Sequence, residues 1–137
     1  MRIGVIGSMQ YTEKMVDARD KLIKLGHDAF VTDLHEPFIG KTDEEKEKIK
    51  LQQKYNKDAI REFWNAMQGA DAVLVLNLDK NGVENYIGGN TFLEMGFAHI
   101  LGQKIFLYNP VPEIPHYKTE IIAMKPIVIN GDLSIIG

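Results

Sequence analysis

The apolar residues of this chain fall into two alternating kinds of run. Continuous short runs occur at Arg2–Ile6, Asp71–Leu76, Ile105–Tyr108 and Pro126–Ile129, with a mixed one at Asp28–Thr32. Unbroken apolar runs of this length predict strands covered on both faces, as in a parallel sheet. Between them the spacing changes to three and four. Met15, Ala18, Leu22 and Leu25 share one face of a helix predicted over 11–25, and Gly26 ends it as a C-cap glycine. Thr42 and Glu45 form an S/T-x-x-E capping box, so a helix is expected to begin at Asp43 and to run to Gln68 before Gly69. Its second half carries the apolar stripe Ile60, Phe63, Trp64 and Met67. Its first half, 43–57, is highly charged and reads either as a solvated face or as an arm that packs on a partner or closes over a site.

A long polar loop, Asn77–Gly89, leads to a helix predicted over 90–101 and closed by Gly102. A short helix over 115–124 precedes the last strand, whose proline suits an edge. Alternation of strand and helix throughout calls for a single domain, 1–137, with a doubly wound five-stranded parallel sheet. The expected fold is a flavodoxin-like or Rossmann-like three-layer sandwich. Ligands in such sheets bind beyond the carboxyl ends of the strands, which directs attention to the loops after the first and third strands.

Composition narrows the classes of function. Hydrophobic residues at 45% and charged residues at 26% of 137 are ordinary for a globular domain. A net charge of −3 and the absence of a basic run argue against a nucleic-acid polymer as partner. No cysteine is present and the four histidines lack metal-ligand spacing, so neither a thiolate site nor a metal is expected, and no cofactor is implied. No apolar run is long enough for a membrane span, and the chain enters a strand without a signal-peptide layout, so a cytoplasmic location is expected.

The candidate chemistry lies in two loops. Gly7-Ser8-Met9, leading through Tyr11 into a helix, offers backbone N–H groups and a hydroxyl to an anion or sugar, although Ser8 also suits a simple cap. The spacing is not the G-x-G-x-x-G fingerprint, and no P-loop lysine follows. The second loop supplies Asn77, Asp79, Gly88, Gly89 and Asn90; paired glycines before a helix allow close backbone approach and could hold phosphate. Arginine is scarce, so no bidentate phosphate clamp is evident. Glu94 carries two readings. With Thr91 it makes another S/T-x-x-E box, a capping role that contributes about 0.5–2 kcal/mol. Alternatively it is a nucleophile or base kept ionised by the helix dipole.

Thr91-x-x-Glu94-Met95-Gly96-x-Ala98, after a strand and polar loop and before Gly102-x-Lys104-Ile105, resembles the nucleoside 2-deoxyribosyltransferase family, which includes N-hydrolases of nucleoside 5′-monophosphates. The opening Ile3-Gly4-Val5-Ile6-Gly7-Ser8-Met9 and Ala70-Asp71-Ala72-Val73 are similar to that family's first and third strands. The resemblance implies attack by Glu94 on C1′ of a (deoxy)nucleoside or nucleotide, release of the base, and transfer of the sugar to a second base or to water. It also implies a homo-oligomer, dimer or larger, whose neighbours complete the pocket. The positions where family members carry aspartates are occupied here by Phe63 and Gly88, which leaves Asp79 as the best remaining acid. A non-catalytic nucleotide-binding module is the rival expectation.

Overall fold

The computed structural model describes residues 1–137. Five parallel strands lie in the order β2-β1-β3-β4-β5, which is the flavodoxin-like arrangement. They are β1 (Arg2–Gly7), β2 (Asp28–Phe30), β3 (Ala72–Leu76), β4 (Lys104–Leu107) and the edge pair of residues β5 (Ile127–Val128). The helices are α1 (Thr12–Lys24), α2 (Asp43–Asn56), α3 (Ala59–Ala66), α4 (Gly89–Ile100) and α5 (Lys118–Ala123).

Alternation within the strands sorts the core into two layers. On β3, where all five residues are buried, Ala72, Leu74 and Leu76 face one layer with Met15, Ala18 and Leu22 of α1. Val73 and Val75 face the other, against Phe63, Met67, Met95, Ala98 and Ile121 from the α3, α4 and α5 segments. The strand therefore needs apolar side chains at every position, which is why its sequence does not alternate. Gly4 pairs in register with Phe30, and a Cβ there would approach the Phe30 ring to 2.9 Å, so the aromatic ring occupies the missing side chain's space.

Two helix expectations change, over 43–68 and over 115–124. The helix predicted over 43–68 is two helices, broken where Asp58 adopts a left-handed conformation (φ 45°). Asp58 tolerates that backbone and its carboxylate caps α3 by accepting from the Arg61 N–H at 3.3 Å and pairing with the guanidinium at 3.0 Å. The connection after β2 is a 3-10 turn, Asp33–Phe38, tied down by fully buried Phe38. The last helix is shorter than predicted, six residues long. No helix is long and apolar enough to cross a membrane.

Candidate functional site

A cavity of about 180 Å³ opens at the carboxyl ends of β1 and β3, where the strand order reverses. The loop after β1 contributes Gly7, Ser8 and Met9, and α4 with its approach contributes Gly88, Gly89, Asn90, Thr91 and Glu94. A Cβ on Gly7 would sit 3.0 Å from the Leu76 carbonyl oxygen, so the first loop turns close against β3. Ser8 caps the 3-10 turn Met9–Tyr11, accepting from the Gln10 N–H at 3.4 Å, and its hydroxyl also accepts from the Lys80 ammonium at 2.9 Å. The cap and the site role coexist in one side chain.

Glu94 is not a cap. The helix N-cap is Gly88, so Thr91 is the third helical residue and Glu94 the sixth. No hydrogen-bonding or ionic partner reaches the Glu94 carboxyl, and it is the only carboxylate among the lining residues. The residue is half-buried and lines the cavity. Burial alone pushes its pKa up to about 8. This corrects the expectation of a carboxylate ionised by the helix dipole, whose influence fades beyond the first turn.

Three other sequence candidates lie outside the cavity lining, and each has a structural occupation. Asn77 is fully buried and joins the exits of β3 and β4: its amide donates to the Asn109 and Pro110 carbonyls at 2.9 and 3.1 Å, and its oxygen accepts from the Asn109 N–H at 2.8 Å. Asp79 is exposed, its carboxylate accepts from the Asn85 N–H at 2.9 Å, and its carbonyl accepts from the Tyr11 hydroxyl. Asp79 and Tyr11 thus brace the long loop against the first one, and Asp79 does not meet Glu94 as a second acid in the cavity.

The charged lining residues that sequence reasoning missed are all cations. Lys80 opens a two-residue hairpin, paired with Val83 through two backbone bonds of 3.0 Å around Asn81-Gly82, both at positive φ. Asn-Gly is the favoured pair for such a type I′ turn, so this dipeptide could have located Lys80. Burial lowers the Lys80 pKa, Lys50 adds repulsion, and Glu47 and Asp43 oppose the shift. Lys50 and Lys54 line the cavity from α2.

What holds α2 there is polar rather than apolar. Lys46 is buried, donating to Glu13 at 2.8 Å and to the Gln10 carbonyl at 3.1 Å, while Glu13 also accepts from the Gly40 N–H at 3.0 Å. The bond from Lys46 holds the Glu13 carboxyl down at about 2. One turn and more along, buried Gln53 donates to the Leu34 carbonyl at 3.0 Å. Residues 46, 50, 53 and 54 share a helix face, so the two anchors aim Lys50 and Lys54 inward. The charged half of the predicted helix is therefore a wall of the site.

Models of known protein families, curated proteins and solved structures were each compared with the chain, and none matches.

Proposed function

We propose that the protein cleaves or exchanges the N-glycosidic bond of a nucleoside 5′-monophosphate, with Glu94 as the attacking group. The observation that carries this reading is the unpartnered Glu94 carboxyl in a cavity whose other charged lining residues are all lysines. A structural carboxylate in such surroundings finds a partner; this one has none to give up when a substrate arrives. In its ionised form it attacks C1′, the C1′–N bond breaks with its electron pair going to the base, and a glycosyl ester forms. Water or a second base then attacks C1′ and restores the carboxylate. Because Glu94 ionises only near pH 8, kcat/KM rises with pH towards that value.

Lys80, Lys50 and Lys54 favour a phosphorylated substrate over a neutral nucleoside. Lys50 is paired with Glu47 at 3.1 Å, whereas Lys80 has no carboxylate partner and already donates to Ser8, so a phosphate at Ser8 would meet an ammonium in place. On this reading the protein works in the cytoplasm on a free nucleotide, and exposed Leu93 and Ile100 of α4 are surfaces for a second copy.

One observation favours a second reading, a nucleotide-binding module: no second carboxylate lines the cavity to protonate the departing base. Incubation with nucleosides and nucleoside 5′-monophosphates, followed by chromatography of free base, decides between them. The enzyme reading expects base release that Glu94→Gln abolishes. Binding by calorimetry without any release establishes the module, and release that survives Glu94→Gln sinks the nucleophile.

A further inference from the structure

We propose that Thr32 and His35 form a recognition subsite for the hydrogen-bonding edge of the nucleobase. The inference rests on the reading of the cavity as a nucleotide site. Both residues line that cavity, at 8% and 4% exposure, and the buried Thr32 Oγ1 and His35 Nδ1 have no hydrogen-bond partner. Unpaired buried polar atoms are costly, and their persistence calls for an explanation in a ligand or an ordered water.

The hydroxyl of Thr32 is free of the role its position normally gives it. Thr32 is the N-cap of the turn Asp33–Phe38, yet its side chain accepts no capping bond. The two residues are held together by the backbone, since the His35 N–H donates to the Thr32 carbonyl at 3.1 Å, and Gln53 fixes the intervening Leu34 from α2. A hydroxyl both donates and accepts, and a neutral imidazole nitrogen does one or the other according to its tautomer. Burial, with a smaller contribution from Arg19, brings the His35 pKa down to about 4, so the ring is neutral near pH 7. Turned into the cavity that both residues line, the two groups would offer a donor and an acceptor to a heterocycle's edge.

The fold separates this pair from Lys80. The sheet order sets β2 and β3 on opposite sides of β1, so the segment after β2, with Thr32 and His35, and the loop after β3, with Lys80, approach from opposite sides of Gly7–Ser8. Arg19 is the only charge that acts appreciably on His35, whereas Lys80 is repelled by Lys50. Leu34 and Phe63 add apolar lining. The side with two idle polar atoms and the apolar Leu34 and Phe63 suits a base, and the Lys80 side suits its phosphate.

The test measures binding in the Glu94→Gln background, so that turnover plays no part. Adenine, guanine, cytosine and uracil nucleoside 5′-monophosphates are titrated by calorimetry against proteins with and without Thr32→Val, alongside ribose 5-phosphate, which lacks a base. The expected result is a loss of about tenfold for the best-bound nucleotide, a flattened ranking of bases, and an unchanged ribose 5-phosphate affinity. His35→Phe gives the same pattern; if it fails to fold, the isosteric Thr32→Val carries the test alone. Equal losses for ribose 5-phosphate, an unaltered base ranking, no nucleotide binding at all, or bridging waters on both atoms that stay when nucleotide binds would each overturn the subsite. Loss of base ranking in a protein that never releases base would retain the subsite and reject the glycosidic reaction.

Discussion

Two glutamates flank the site from different helices, and their surroundings are opposite. Glu13 of α1 accepts from Lys46 and from the Gly40 N–H, and its pKa is held at about 2. Glu94 of α4 has no partner, and burial raises its pKa to about 8. Glu13 is satisfied and anchors α2; Glu94 is unsatisfied and faces the cavity. The same side chain is a fastener in one region and an unpartnered, largely neutral acid in the other, and only the neighbours differ.

The widest separation between the two is expected in turnover. Glu94→Gln should lower base release by about 10³-fold or more, whereas Glu13→Gln should cost less than about tenfold. Assays of both variants on one nucleotide break the comparison if the losses are similar. Next in size is the cationic rim: Lys80→Ala should weaken nucleotide binding about tenfold, with a shallower dependence on salt than the parent protein. Calorimetry at two ionic strengths measures it.

A third prediction concerns stability against pH, where the signs oppose. Glu94 ionises at 4.5 when unfolded and near 8 when folded, so its contribution weakens the fold as pH rises from 4.5 to 8 and is level above. Glu13 behaves in reverse: its contribution is complete above 4.5 and is lost as pH falls towards 2. Urea unfolding over a pH series should therefore find Glu94→Gln more stable than the parent at pH 8, by about 4 kcal/mol at most and less where solvent screens the carboxylate, with the difference gone at pH 4. Glu13→Gln should be less stable at pH 7, and that deficit should shrink on acidification. The smallest effect belongs to Asp79→Asn, which keeps an acceptor for the Asn85 N–H and should leave base release within about threefold of the parent. A loss as large as that of Glu94→Gln would return Asp79 to the catalytic step.

Much of the architecture was legible in the residues. The unbroken apolar run Ala72–Leu76 announces a strand with both faces covered, and Met15, Ala18 and Leu22 at helical spacing announce the helix that covers one of them. Gly7, Ser8, Gly88 and Glu94 were also singled out by their loops, and they line one cavity. The errors arose where one pattern serves two structures. Thr91-x-x-Glu94 reads as a capping box, but helix α4 begins two residues before Thr91, so the same four residues lie inside it. Asp58 looks like one more charge in a long helix until its left-handed backbone ends α2 and caps α3.

The alternation of strand and helix, and hence a parallel doubly wound sheet, follows from the residues alone, because burial of strand faces and helix stripes depends on periods of two and 3.6 residues. The sequence also determined where the loops bearing glycines and polar side chains must fall. The tertiary structure alone decided which charges are inside. Lys50, Lys54 and Lys80 come from two distant segments, and although Asn81-Gly82 marks the turn that carries Lys80, no local pattern tells whether a lysine turns toward a cavity or into water. The same holds for the idle atoms of Thr32 and His35 and for the raised pKa of Glu94. Desolvation and hydrogen-bond satisfaction depend on what the rest of the chain brings to a residue.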